Sequence, residues 1–245
     1  METFSYKDSI IGAVESMIGG RNENQDSYGS AATPHGMLVV VCDGMGGGPA
    51  GKTASTLATQ AIIDYVSGAP ADKNPVDIML EAGKAANEAV LGAVEKDPSL
   101  RGMGTTCVCV LLTGEVAYIM HVGDSRCYHI FDESIQQITK DHTVIRRLIE
   151  RGEITEEESR THPRRNSITR AVGAAREITP DYFEIDLEQG HCLLLCSDGL
   201  HSYGDDAEIA GIIVNNPIQK CCELLIDYAL ANGGRDNTTV ALIQC

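Results

Sequence analysis

A layered α+β fold is the class this sequence predicts, and three observations predict it. Seven short apolar runs read as strands, four of them follow one another with short gaps, and two blocks of paired helical patterns interrupt the strands. Helix pairs inserted among antiparallel strands give a layered α+β domain. The strand signals are MLVVVC (37–42), TTCVCVLLT (105–113), EVAYIMHV (115–122), SRCYHIF (125–131), SIQQIT (134–139), HCLLLCS (191–197) and TTVALIQ (238–244). Each is rich in β-branched or apolar residues and is bounded by Gly, Asp or Asn. The four runs from 105 to 139 predict one antiparallel meander, because parallel neighbours need a crossover of a dozen residues.

The first helical block is 51–66 and 75–95, with Asn74 as N-cap and Pro75 at the first helical position. Val76, Met79, Leu80, Ala86, Val90 and Val94 keep helical spacing and predict its apolar face. The second block is 205–214 and 217–231, with Leu224, Leu225, Tyr228 and Ala229 as the face and Gly233 beyond the end. Residues 142–170 are polar and charged (EITEEESR) and predict a surface insertion of short helices. The chain has no long repeat and no Pro/Ser-rich linker, so residues 1–245 are expected to form one domain.

The formal charge of −16 excludes nucleic acid as a partner, since that affinity rests on cationic neutralisation of phosphates. An acidic solvated surface and a cation site both account for the excess. Nine cysteines, an odd number with no zinc-finger spacing, fall mostly in apolar runs and read as buried thiols of a reducing cytosol. The N-terminus METFSYKDS lacks the basic and apolar regions of a signal peptide, and no apolar run approaches a membrane span. A soluble cytoplasmic protein is expected, with no membrane partner.

Four aspartates stand beside Gly or Asn at the ends of strand signals. They are Asp43 in VVVCDGMGGG, Asp124 in MHVGDSR, Asp198 in LLLCSDGL and Asp236 in GGRDNTTV. Any one alone reads as a turn aspartate. Apolar strands running straight into carboxylates place several negative charges at one edge of a sheet core, where they repel unless cations intervene. Oxygen ligands without His or Cys companions select magnesium, manganese or calcium over zinc. Gly44, after Asp43, lets a backbone carbonyl approach a metal closely.

The succession RNENQD (21–26), VCDGMGG (41–47), GTT (104–106), VGDSR (122–126), KDHT (140–143), RRNSITRAVG (164–173), CSDGL (196–200) and DNTT (236–239) resembles the PPM, or phosphatase 2C-like, family. The likeness is to the short bacterial branch and runs from Arg21 to the last strand. It implies an α-β-β-α sandwich, two antiparallel sheets flanked by helix pairs, and hydrolysis of phosphoserine and phosphothreonine in proteins by a metal-activated water. Two or three manganese or magnesium ions are implied. Asp43 would bridge two of them, the Gly44 carbonyl would bind one, and Asp198 and Asp236 would complete the other. Asp124, with Asp198, matches a third and weaker site. Arg21 matches the phosphate-binding arginine and Asp26 a carboxylate that orients water. Residues 142–170 match the flap beside the site. Phosphoprotein substrates, a cognate Ser/Thr kinase acting in opposition and a monomeric state are the expected partners and form.

The chain departs from the family at three places. Gln25 stands where animal members carry Glu, Met45 where they carry His, and Gly48 where the bacterial DGMGGH stretch has His. None removes an inferred metal ligand, but this loop supplies no histidine acid. His162 reads equally as a flap histidine or a helix stop before Pro163; Arg164 and Arg165 read as solvated charges. Asp141 and His142 read as structural, and Cys107 and Cys109 as packing residues. A metal-free interaction module with the same fold is the rival reading, opposed by the presence of all four aspartates and Arg21.

Overall fold

Leu38, Val40 and Cys42 face one way from their strand and Met37, Val39 and Val41 the other, yet all six are buried. A strand with an apolar run on both faces must lie between two layers, since successive side chains alternate across a sheet. The computed structural model describes residues 1–245 apart from Asp8, Gly48 and Arg160.

The strands among the described residues are β1 (Glu2–Tyr6), β2 (Ile10–Met17), β3 (Asp26–Thr33), β4 (Gly36–Met45), β5 (Gly104–Thr105), β6 (Cys107–Thr113), β7 (Val116–Val122), β8 (Arg126–Phe131), β9 (Ser134–Gln137), β10 (Asp181–Asp186), β11 (Cys192–Cys196) and β12 (Thr238–Gln244). The helices are α1 (Ala50–Gly68), α2 (Pro75–Lys96), α3 (Val144–Glu150), α4 (Glu156–Ser159), α5 (Asp198–His201), α6 (Asp206–Val214) and α7 (Ile218–Ala231). One sheet has the order β1-β2-β12-β11-β8-β9, the other β10-β7-β6-β4-β3 with β5 beside β4, and every pairing is antiparallel.

Three apolar layers hold this α+β sandwich together. The first packs α1 and α2 on β4 and β6, with Ile62, Met79 and Val90 against Leu38, Val40 and Leu111. The second packs α6 and α7 on the other sheet, with Ile209, Cys221 and Leu225 against Leu194, Val240 and Leu242. Between the sheets lie Val39, Val41, Val108, Leu193, Leu195 and Ile243. β11 and β12 thus split by residue parity between two cores, as β4 does, and a one-residue slip would exchange them. No helix among the described residues is long and apolar enough to cross a membrane. All nine cysteines are free thiols, eight of them buried.

Several sequence expectations are corrected. The predicted meander is two hairpins, β6-β7 in one sheet and β8-β9 in the other, and β7 does not pair with β8. The link Gly123–Ser125 steps between the sheets instead of turning back. Three extended residues span about 10 Å, the spacing of stacked sheets, so a short gap permits either route. The run 105–113 breaks at Thr106, which leaves the ladder to bind the Asp43 backbone through both its N–H and its hydroxyl. β1, β2, β3 and β10 were not predicted, because their apolar content is diluted by Gly, Ser and acidic residues. In β3 that smallness is demanded: a Cβ at Gly29 would lie 2.5 Å from Ile63 Cδ1. The buried face of α2 keeps the expected Met79, Ala86 and Val90, adds Ile78, Ala82 and Gly83, and leaves Val76 exposed. The buried face of α7 runs through Ile218, Cys221, Cys222, Leu225, Ile226 and Ala229, with Leu224 and Tyr228 at its margin. Treating cysteines as apolar centres that face correctly.

Gly123 makes the step between the sheets possible. Its φ is +107°, and a Cβ would meet Thr106 Cγ2 at 2.6 Å and Thr106 Cα at 3.1 Å. Gly123→Ala is expected to cost about 2–4 kcal/mol, from left-handed backbone strain together with overpacking. Urea unfolding should show a lower midpoint at unchanged slope; an unaltered midpoint would contradict the tight crossing.

Candidate active site

The ends of the central strands meet at one edge of the sandwich and bring five aspartates with them. Asp26 opens β3 and is the direct cross-strand partner of Asp43 near the end of β4. Asp124 lies in the β7-β8 link, Asp198 begins α5 after the one residue that follows β11, and Asp236 precedes β12. Asp26 and Asp124 are 2% and 8% exposed, whereas Asp43, Asp198 and Asp236 keep one side open to solvent. All four aspartates singled out by their strand ends, and Asp26 with them, therefore share one locus.

The surrounding polar groups hold the backbone rather than neutralise the charge. Asp43 is fixed by its N–H to Thr106 Oγ1 at 2.9 Å and by its carbonyl, which accepts from the Thr106 N–H at 2.9 Å and Thr105 Oγ1 at 2.8 Å. Thr106 Oγ1 also pairs with Ser125 Oγ at 2.7 Å, tying the Asp43 strand to the Asp124 link. Asp26 Oδ2 accepts from Ser197 Oγ and Thr239 Oγ1, both at 2.7 Å. Asn237 is a clamp: its Oδ1 accepts from the Gln25 N–H, and its Nδ2 donates to the carbonyls of Ile18 and Glu23. That fixes the loop carrying Arg21 against the start of β12. Thr106, Ser197 and Asn237 were not read as site residues; their polar type at the ends of apolar strands was the only available signal.

Gly44 is buried, its N–H donating to the Gln25 carbonyl at 3.2 Å. A Cβ there would lie 2.1 Å from Gly51 O, so only glycine lets the first turn of α1 approach the carboxylate edge. Arg21 reaches over the same edge, its Nη2 donating to Asp236 Oδ2 at 2.6 Å while the side chain stays 59% exposed. His162 Nδ1 accepts from the Arg164 N–H at 3.1 Å. Gly48 lies outside the described residues.

Burial and crowding push these carboxyl groups up. Asp198 is raised to about 8, first by desolvation and then by the charges of Asp124, Asp236 and Asp26. Desolvation raises Asp26 to about 6 against the two hydroxyl donors. It also raises Asp124 to about 6, with Asp141 adding repulsion. Asp43 is raised well above the carboxylate range, by desolvation first and then by all four other aspartates.

Oδ1 of Asp26 and Oδ1 of Asp198 are buried without a hydrogen-bond partner. An orphaned carboxylate oxygen beside like charges calls for a countercharge, and donors that are all oxygen suit hard divalent cations. The residues present therefore fit magnesium or manganese. Among the described residues no three acid, His or Cys side chains already converge as a finished ligand set. Arg21 draws Asp236 to one side.

Comparison with known proteins supplies the lineage. A family model described as protein phosphatase 2C matches residues 15–218. The serine/threonine protein phosphatase PstP of Mycobacterium tuberculosis is 36% identical over 225 residues, 91% of this chain. The chain spans only 42% of that relative's length. The protein phosphatase PhpP of Streptococcus pneumoniae is 34% identical over 227 residues, covering 91% of this chain and 92% of PhpP. The crystallised catalytic domain of PstP, in complex with two manganese ions, superposes with a TM-score of 0.86 at 34% identity, covering 96% of this chain and 97% of that one. Sequence likeness over nine-tenths of its length and a shared sandwich lead to one conclusion: this chain belongs to the protein phosphatase 2C family.

Proposed function

We propose that this chain hydrolyses phosphoserine and phosphothreonine in proteins with manganese or magnesium, in opposition to a Ser/Thr kinase. The observation that carries the reading is the gathering of five aspartates at one strand edge, two of them with buried, unpartnered oxygens. In this reading residues 1–245 work as one monomeric cytoplasmic domain, with 142–170 as a flap beside the site.

Asp43 would bridge two cations, with the Gly44 carbonyl on one and Asp198 and Asp236 on the other. Asp124 and Asp198 would hold a third, with fewer protein ligands and weaker affinity. When bound, the cations neutralise phosphate charge and acidify a water for in-line attack on phosphorus. Arg21 is exposed enough to swing from Asp236 to the phosphate, where its planar fork matches two non-bridging oxygens. Asp26 is held through Oδ2 by Ser197 and Thr239, which leaves Oδ1 as the acceptor that would orient a water at the site. Positioning and charge neutralisation suffice for phosphoryl transfer, so no Cys or Ser nucleophile is required. Dephosphorylation of a phosphopeptide panel in manganese, abolished by chelator, tests the function directly; turnover indifferent to chelator would refute it.

Asp43→Ala, Asp198→Ala and Asp236→Ala should each lower kcat on the order of 1000-fold, about 4 kcal/mol of barrier, in a chain that still folds. Circular dichroism and steady-state kinetics on p-nitrophenyl phosphate read both quantities. A folded member of this set with parental turnover would dismantle the site.

Arg21→Ala should reduce kcat/KM by roughly ten- to a hundredfold through loss of a charge-assisted phosphate contact. Inhibition by inorganic phosphate should weaken in parallel while calorimetric manganese binding persists. Parental values in both kinetic assays would remove Arg21 from phosphate recognition.

The raised carboxyl groups give the metal-free chain a definite pH dependence. An unfolded Asp releases its proton near 3.8, whereas folded Asp26 and Asp124 retain theirs to about 6 and Asp198 to about 8. The stability linked to these protons is full below the unfolded value and is lost as pH rises through 6 towards 8. The Tm of chelator-treated protein should fall from pH 5 to pH 8. Manganese, which competes with those protons, should raise Tm more at pH 8 than at pH 5. An equal manganese increment at both pH values would count against the carboxylate cluster as the binding site.

A further inference from the structure

His142 sits where the 142–170 segment leaves the sandwich and takes both backbone polar groups of Gly123, the residue before Asp124. Its N–H donates to the Gly123 carbonyl at 2.7 Å, and its Nδ1 accepts from the Gly123 N–H at 3.0 Å. An imidazole nitrogen that accepts carries no proton, so in the neutral ring the proton is on Nε2. Nε2 lies 3.1 Å from Asp181 Oδ2, to which it donates, and 3.0 Å from Arg170 Nη1, whose two N–H groups are directed to Asp181 Oδ1 and the Thr179 carbonyl. The carbonyl of His142 accepts from the Thr169 N–H at 2.7 Å, and the Val144 N–H donates to the Ser167 carbonyl, which closes the base of the segment. Arg170, at the segment's far end, donates to the other Asp181 oxygen at 2.7 Å. Through its backbone and its ring, one residue thus joins the Asp124 link, both ends of the segment and the first residue of β10.

The ring has no freedom to do otherwise. His142 is 7% exposed and lies against the His121 ring, with centroids 4.7 Å apart. His121 is fully buried, its ring nitrogens unpartnered, and forms a neutral wall. Gly123 holds a backbone conformation that few residues adopt, with φ +107°, so its amide direction is set by its partners. The direction of that amide fixes where the Asp124 carboxylate projects.

We propose that His142 is a positioning residue whose Nδ1 fixes the Asp124 link and couples it to the base of the 142–170 segment. This deepens the phosphatase reading and rests on it, since the role is exerted through the cation shared by Asp124 and Asp198. The acting atom is the acceptor at the Nδ1 position. Asn places an amide oxygen there, whereas Gln places its polar end where Nε2 stands.

The test is a pair of substitutions read against Asp124→Ala with manganese and p-nitrophenyl phosphate. His142→Gln is expected to raise the manganese concentration for half-maximal activity about tenfold or more, as loss of a group supporting a ligand does. His142→Asn should restore most of that loss. In an Asp124→Ala background His142→Gln should add no more than about twofold, because the two act on one element. Equal impairment by Gln and Asn at native melting temperatures overturns the acceptor role, as does full additivity with Asp124→Ala. Asp124→Ala with parental kinetics removes the phosphatase reading of Asp124 on which this rests. Impaired Asp124→Ala beside an unimpaired His142→Gln overturns the role of His142 alone. Should either variant fail to fold, long-range proton–nitrogen correlation on the unsubstituted chain reads the tautomer. A proton on Nε2 and a bare Nδ1 are expected, and a protonated Nδ1 overturns the proposal.

Discussion

Negative charge confined at a partly dehydrated sheet edge is the condition to which the rest of this molecule conforms. Two like charges about 5–6 Å apart repel by about 3 kcal/mol at an effective dielectric of 20. Four other aspartates act on Asp43 in this sense. A flexible loop would relieve that repulsion by moving its carboxylates apart into water. Here they cannot separate, because each is joined to a buried strand or helix start. Asp43 is fixed by Thr105 and Thr106, Asp26 by its ladder with β4, and Asp198 by the apolar β11 behind it. The three apolar layers hold the strands in register, and that register keeps the charges together. Folding energy drawn from Val, Leu and Ile is thereby stored as readiness to take up cations.

Legibility in the sequence followed the locality of the signal. The sequence predicts β12 with its observed bounds, because TTVALIQ is β-branched or apolar up to its last residue and follows Asn237. The same continuous burial revealed β4 and β11. β3 escaped notice because DSYGSAAT contributes small side chains to a crowded face under α1, where packing and not hydrophobicity decides. The break of the meander at Gly123 was invisible for a different reason. A three-residue gap carries the same local pattern whether the chain turns back or crosses between sheets, and only the packing of β8 against β11 distinguishes them.

The site divides along the same line. The strand-end aspartates were found from Asp-Gly and Asp-Asn pairs, which are neighbours in sequence. The groups that fix them are remote. Asn237 grips the chain 212 residues earlier at Gln25, and Ser197 reaches Asp26 across 171 residues. No spacing rule predicts such partners, since their geometry exists only once both sheets have formed. What can be anticipated is the need for them: strand ends without side-chain donors and acceptors would leave backbone groups unpaired beside the charge.

The fold also sorts its acids into two classes by the cations it gives them. Asp141 is largely buried, which alone would raise its pKa, yet the bidentate Arg126 guanidinium lowers it below the ordinary value. Asp181 is likewise held down against desolvation by His142 and Arg170. These carboxylates have permanent partners and serve as struts. Asp26, Asp43, Asp124 and Asp198 have no such strut and are all driven upward. Arg126 is close enough to Asp124 to oppose that rise, but its fork is committed to Asp141 and Tyr128 Oη. The nearby histidines add no charge: burial holds His121 and His201 at about 3, and His201 Nε2 donates only to the Asp124 carbonyl. Cations supplied by the protein are therefore spent on the acids that build the frame, and those that remain unpaired are the ones whose oxygens face the edge. An ion from solution meets carboxylates that no side chain has already neutralised, except at Asp236, where Arg21 is exposed and free to leave. That division of labour separates this carboxylate edge from an ordinary acidic surface.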